Sequence, residues 1–322
     1  MFKKTVVVAA FAAVAAPAFA QLESSQPISL VVPFSAGGPT DVVARQLAKS
    51  MSAALNHTII VENRPSAGGI IGSQGVVRSA PDGHTLLIHN IGMSTAPALY
   101  RKLPFNPQTD FDYIGQIVDV PMTLVAKKGF TPNGFAELLP YLASNKDKVT
   151  MAHAGLGTAS HLCGLLLMSR MKVNLTTVPY KGAAPALSDV QGGHVDMICD
   201  QTTTTSSMIK AGAVKTYGLT TKARLESLPG VPTLAEQGWQ DFEVNVWHGL
   251  YAPKGIAPAV RDKLVKGLQA ALANPEFKSA MTALGTVVAT PEKATPDGLR
   301  NHLNAEIERW SPIIHASKQY AD

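Results

Sequence analysis

Cysteine is nearly absent from this 322-residue sequence: Cys163 and Cys199 are the only two. No C-x-x-C occurs and no histidine stands at ligand spacing from either, which excludes a cysteine-based zinc site. An oxidising compartment permits a bridge between them. Two buried free thiols are the equal alternative, because sequence does not reveal whether the Cα atoms come within bridging distance. Charge is also scarce, at 16% of residues, and no basic run extends beyond Lys127-Lys128. Nucleic acid is therefore not an expected partner. Past the N-terminus no apolar run approaches the roughly 18 residues of a membrane span, and neither a low-complexity tract nor a heptad pattern occurs. Several catalytic and nucleotide-binding patterns are missing as well. There is no G-x-x-x-x-G-K-[ST], no G-x-G-x-x-G and no H-E-x-x-H. Around Ser73 the chain reads I-G-S-Q-G, with Ile71 where G-x-S-x-G needs its first glycine. No metal or organic cofactor is expected.

The N-terminus has the order of a cleavable export signal. Lys3 and Lys4 form a positive segment, Thr5–Ala16 is apolar, and Ala18-Phe19-Ala20 is a small-x-small cleavage site. Residues 1–20 are read as signal peptide, with the mature chain starting at Gln21 and no following Cys to carry lipid. The bacterial periplasm is the expected location. Removing the two lysines lowers the net charge from +5 to +3.

What is present is one pattern written twice. Residues 30–50 read as an apolar strand, a Gly-rich turn and a helix, and residues 149–170 repeat that order. In the first half a strand at His57–Glu62, a turn at Arg64–Gly69, a helix at Ile70–Arg78 and a strand at Thr85–His89 follow. In the second half the corresponding parts are Leu175–Pro179, Tyr180–Gly182, Ala183–Gln191 and Val195–Cys199. Two βαβαβ lobes with Gly-rich loops at the carboxyl ends of their strands define an α/β clamshell around a ligand cleft, the two first loops face to face. Pro121–Lys127, Val214–Thr220 and Asn245–Ala252 read as strands crossing between lobes, a hinge of several strands. Helices are expected at Ala259–Ala273, at Pro275–Leu284 after the N-cap Asn274, and from Pro296 through Trp310. Lobe 1 is then 21–121 plus about 221–322, and lobe 2 about 122–220.

The loops carry the chemistry. In Phe34-Ser35-Ala36-Gly37-Gly38-Pro39-Thr40 the glycines permit positive φ and close approach of backbone N–H groups to a ligand. Ser35 and Thr40 add hydroxyls, and the helix that follows offers the positive end of its dipole to an anion. Gly155, Gly157, Thr158 and Ser160 repeat this from lobe 2. Asp41 fits an early-helix carboxylate that stabilises its own helix. Asp200 either accepts a hydrogen bond from a polar ligand or caps the turn into Gln201–Thr205, itself a donor-rich cleft wall or an ordinary helix start. Arg64 and Lys181 either screen ligand charge or are solvated, and Phe34 and Trp247 either line the cleft or pack in the core. His153 and His161 flank the second loop without a carboxylate between them. They are loop-bracing histidines or, in the alternative reading, the general bases of an exported enzyme acting on a small carboxylate.

Longer stretches carry a resemblance. V-P-F-S-A-G-G-P-T-D-V-V-A-R, V-E-N-R-P-S-A-G-G-I-I-G, Y-K-G-A-A-P-A-L-S-D-V-Q-G-G-H-V-D, L-P-G-V-P-T-L-A-E-Q-G and W-H-G-L-Y-A-P-K-G resemble the Bug-type solute-binding receptors of tripartite tricarboxylate transporters, in the same order and over essentially the whole mature chain. The resemblance implies a type II periplasmic binding protein fold and a non-catalytic, monomeric receptor that hands a small carboxylate to membrane permease subunits. It carries binding roles to Ser35–Thr40 and Gly155–Ser160, and further to Asn90, Ser94, Asp200 and Thr202. A dicarboxylate, aliphatic or aromatic such as terephthalate, is the expected ligand.

Overall fold

The computed structural model describes residues 26–317 and 320–321. The export signal and the expected start at Gln21 lie outside the described residues. The first repeat forms β1 (Ile28–Val32), α1 (Pro39–Leu55), β2 (Ile59–Asn63), α2 (Ile70–Val77), β3 (Thr85–Asn90) and a short α3 (Gly92–Leu99). β1 lies parallel to both β2 and β3. All five β1 residues but Ser29 are fully buried, as a parallel strand covered on both faces requires. α1 opens with Pro39 at its first turn and ends at Asn56 in the left-handed region.

β4 (Phe111–Lys127) joins the halves in one 17-residue strand. Its first part, through Pro121, pairs antiparallel with β9 (Asn245–Pro253). From Met122 onward it pairs with β7 (Met197–Gln201), and from Thr123 with β8 (Val214–Leu219). The sequence reading began this strand at Pro121, because proline ordinarily starts a strand rather than interrupting one. Here Pro121 falls where β4 changes partners. Thr220 ties the crossing together: its hydroxyl donates to the Val244 carbonyl at 2.7 Å and accepts from the Met122 N–H at 3.2 Å.

The second repeat follows β4. It runs α4 (Phe135–Ser144), β5 (Thr150–His153), α5 (Ala159–Met171), β6 (Thr176–Pro179), α6 (Ala183–Gly192), β7, and α7 (Thr202–Lys210), which starts inside the threonine run. β5 lies parallel to β6 and β7. After β9 come α8 (Pro258–Ala273), α9 (Pro275–Ala283), β10 (Val287–Val288) and α10 (Pro296–Ser317). Asn274 caps α9, its side chain accepting from the Glu276 and Phe277 N–H groups. α8 packs on α1 and β4, and α10 on α3 and β4, so the C-terminal helices return to the first half. The sheet order β2-β1-β3-β9-β4-β7-β5-β6 puts the two repeats on either side of the β4–β9 pair. This is the two-lobed α/β arrangement of a type II periplasmic binding protein.

Cys163 on α5 and Cys199 on β7 are joined in a disulfide. Of the two alternatives the sequence left open, the bridge is the one realised. It ties the helix behind the second Gly-rich loop to the strand that delivers Asp200.

Candidate functional site

Six loops meet between the lobes: 34–40, 66–69 and 90–95 from the first, 154–160, 180–184 and 200–203 from the second. They do not meet as the repeat suggested. Loop 34–40 is seated on the second loop of the other lobe: a Cβ built on Gly182 would come within 3.0 Å of the Ser35 N–H nitrogen, and one on Gly37 would touch Ala184. Reciprocally, loop 154–160 is seated on the second and third loops of the first lobe. A Cβ on Gly68 would lie 3.0 Å from the Leu156 carbonyl oxygen, and the Thr95 hydroxyl donates to the Gly157 carbonyl at 2.8 Å. Each lobe's first loop therefore faces the other's second, a two-fold reciprocity that follows from running the same βαβα order in both halves. Gly182 is held at φ 130°, which only glycine adopts readily. Gly182, Ala184, Gly68 and Thr95 were absent from the expected site. The small-residue turns Y-K-G-A-A and P-S-A-G-G were visible signals for the first three, whereas Thr95 had none.

Loop 34–40 is shaped from within. The buried Asp41 carboxylate accepts from the Gly37 N–H (2.8 Å), the Arg45 Nε–H (2.8 Å) and the Asn63 side-chain amide (2.9 Å). Burial pushes this carboxyl up, but the hydrogen bonds from Arg45, Gly37 and Asn63 outweigh it and hold it below the usual carboxylate range. The early-helix reading of Asp41 is the one realised. The Ser35 hydroxyl has no partner among the described residues. Thr40, buried, accepts from the Asn90 amide (3.2 Å) and meets His248 Nε2 on β9 (3.2 Å). Phe34 is buried with its ring edge-on to His89, centroids 5.2 Å apart, and Trp247 is buried against His302. Arg64 is exposed and paired with Glu62, and the Ser94 hydroxyl donates to its own helix at Ile91.

Loop 154–160 is shaped by histidines. The Gly155 N–H donates to His153 Nδ1 and the Gly157 N–H to His161 Nδ1, each at 3.2 Å. The two rings pack with centroids 4.8 Å apart. The Thr158 hydroxyl donates to the Gly155 carbonyl at 2.7 Å, and the Ser160 hydroxyl accepts from the Ala154 N–H at 2.8 Å. At the end of β7 the Asp200 carboxylate is buried and accepts from the Thr204 hydroxyl (2.9 Å). Burial raises its pKa to about 7 against the pull of Thr204 and the Gln201 N–H. Thr202 and Thr203 are buried with hydroxyls unpartnered among the described residues, Thr202 standing beside Gly285 at the end of α9.

Burial dominates the titration of three histidines near these loops. It lowers the pKa of His89 to about 4 and, with the neighbouring His89, that of His248 to about 3. His153 is lowered too, by burial. These rings are neutral at pH 7, and no group of three or more metal-ligating side chains occurs among the described residues.

Comparison with known proteins identifies the arrangement. The model of the tripartite tricarboxylate transporter family receptor matches residues 43–318. A protein of Agrobacterium vitis, described as the UPF0065 protein in the TAR-I ttuE-ttuC' intergenic region, is 44% identical over 290 residues, 90% of this chain and 84% of that one. BugT of Bordetella pertussis is 33% identical over 95% of this chain and 93% of its own length. Among solved structures, the periplasmic binding protein BugD superposes with a TM-score of 0.89 at 47% identity, covering 92% of this chain and 98% of BugD. MatC of Rhodopseudomonas palustris with bound malate gives 0.86 at 36%, covering 90% and 99%. An R. palustris protein with bound adipate gives 0.85 at 29%, covering 90% and 96%. Family, fold and loop geometry agree, and the chain belongs to the tripartite tricarboxylate transporter receptors as a Bug-type solute-binding protein rather than an enzyme.

Proposed function

We propose that this receptor works in the periplasm, captures a small dicarboxylate between its lobes and presents it, as a monomer, to membrane permease subunits. The observation that carries the reading is the reciprocal seating of four Gly-rich loops across the cleft. It sets the N-termini of α1 and α5 on opposite lobes at one interface, where their dipoles favour two anionic groups. Malate and adipate in related receptors support the ligand class. On this reading Phe34, Ser35, Ala36, Gly37, Gly38 and Thr40 form the first-lobe wall with Asn90 and Ser94, and Gly155, Gly157, Thr158 and Ser160 the second, with Asp200 and Thr202 at its edge. The lobes divide at 21–121 plus about 221–322 and about 122–220, and residues 1–20 direct export.

A monocarboxylate would leave one cluster of buried donors unmatched, at about 1–3 kcal/mol for each unsatisfied group. The test is a thermal-shift panel of succinate, L-malate, adipate, citrate and terephthalate against butyrate and benzoate. A diacid at 100 times its dissociation constant stabilises by about 2.7 kcal/mol, on the order of several degrees. Equal shifts from monoacids at equal concentration would overturn the dicarboxylate reading.

A further inference from the structure

The sheet of the second lobe splits just below the cleft. β5 and β7 pair in parallel only as far as Ala152 opposite Ile198. Beyond that point each strand follows a different neighbour. β5 stays with β6 through His153 opposite Pro179, and the Tyr180 N–H donates to the His153 carbonyl at 2.9 Å. β7 stays with β4, with Cys199 opposite Leu124, Asp200 opposite Thr123 and Gln201 opposite Met122. The Thr123 hydroxyl meets the Asp200 carbonyl at 3.2 Å and the Thr205 hydroxyl at 2.8 Å, fastening the end of β7 to α7. Loops 154–160 and 180–184 therefore leave from one half of the split, and segment 200–203 from the other.

Among the described residues no hydrogen bond links loop 154–160 to segment 199–203; the Thr158 and Ser160 hydroxyls are both engaged within their own loop. α5 packs on β7, but apolar packing is non-directional and opposes sliding along the strand only weakly. What crosses the split is the Cys163–Cys199 disulfide. It stands three residues beyond Ser160 on one side and next to Asp200 on the other, with both cysteines fully buried. The first lobe has the same split, since β1–β3 pairing ends at Val31 opposite Leu87. There the crossing is polar: the Asn90 amide donates to the Thr40 hydroxyl at the start of α1. At corresponding places one lobe uses a hydrogen bond and the other a covalent bond.

We propose that the Cys163–Cys199 disulfide is a positioning device of the ligand site: it stands in for the missing β5–β7 pairing and holds loop 154–160 in register with Asp200 and Thr202. The idea rests on the receptor reading and goes beyond it, because it makes binding competence depend on an oxidising compartment. Reduction by a dithiol puts two electrons and two protons on the sulfurs, giving two thiols, while the dithiol closes to its own disulfide. The two halves of the wall are then held by packing alone. Binding groups have to keep their geometry to within about 0.5 Å, so the loss is felt at the ligand before it is felt by the fold.

The test compares C163A/C199A with L264A, which opens a cavity under the fully buried Leu264 of α8, away from the cleft. L-malate is the probe, by calorimetry at pH 7.5 and at a temperature where circular dichroism shows both variants folded. C163A/C199A is expected to lose at least five-fold in affinity and L264A to bind as wild type. A smaller loss in the cysteine variant overturns the proposal, as does an equal loss in both, which would mark a general effect of stability. If C163A/C199A does not fold, C163V/C199A, which refills the volume, takes its place; failure of both to fold overturns the proposal, since the bond would then be needed for the fold itself. If malate does not bind wild type, the dicarboxylate reading fails instead. The disulfide proposal is then decided by amide exchange in the unliganded proteins. Exchange at Gly155, Gly157 and Thr202 must be at least five-fold faster in the cysteine variant than in L264A for it to stand.

Discussion

At the scale of the residue, small side chains at the lobe interface decide whether the cleft closes. Gly182 combines a left-handed φ of 130° with backbone contact to Ser35 across the lobes. Gly182→Ala adds both backbone strain and a steric wedge. It is expected to weaken ligand binding at least ten-fold while shifting the unliganded melting temperature by only a degree or two, as paired calorimetry and thermal melts can check. Asp41→Asn acts differently: it removes the charged acceptor of three hydrogen bonds and should cost about 1–3 kcal/mol in denaturant unfolding. Glycine was legible in the sequence because positive φ has few other tenants, and so the loops were found. Thr95, Asn63 and His248 were not, because nothing local marks a residue whose partner is 62, 22 or 208 positions away.

At the scale of the element, most strands and helices follow their patterns, and the exceptions have local causes. β4 is longer than its sequence suggests because Gly115 and Pro121 break the strand signal. Gly115 is there to let Ala294 and Leu268 close on the backbone, and Pro121 sits where the strand changes partners. α3 went unread because glycine at its start and Pro97 inside it argue against a helix. The disulfide was undecidable from spacing, since pairing depends on α5 packing on β7. It closes a sequence separation of 36 residues, which by chain entropy stabilises by about 3–4 kcal/mol. The double variant C163A/C199A is expected to unfold at correspondingly lower denaturant, with the same loss on adding reductant to wild type. An unchanged midpoint in both would show that α5 is held to β7 by packing alone.

At the scale of the whole molecule, the two-lobed plan and the reciprocal loops follow from the internal repeat, and the repeat also buries several titratable groups at the lobe junction. His89 and His248 have pKa values lowered to about 4 and about 3 by burial, below the ordinary 6.5. For a lowered histidine, the unfolded chain takes up the proton first as pH falls, so stability present above 6.5 is lost on acidification toward the folded value. His153 and His302, lowered mainly by burial, act in the same direction. Asp200 opposes them: its folded pKa is raised to about 7, so its contribution is full below the ordinary 3.8 and lost as pH rises through 7. Between pH 6.5 and 4 the two strongly shifted histidines outweigh the single carboxyl by one proton, about 1.4 kcal/mol per pH unit. Lowered carboxylates such as Asp41 and Asp196 add to the loss only at the acid end of this range. Unfolding free energy is therefore expected to drop by about 2 kcal/mol from pH 6.5 to 5. In Asp200→Asn the opposing proton is gone and the slope should roughly double. Denaturant titrations of both proteins at half-unit pH intervals measure this directly; a stability that rises on acidification would mean that Asp200, not the histidines, governs the junction.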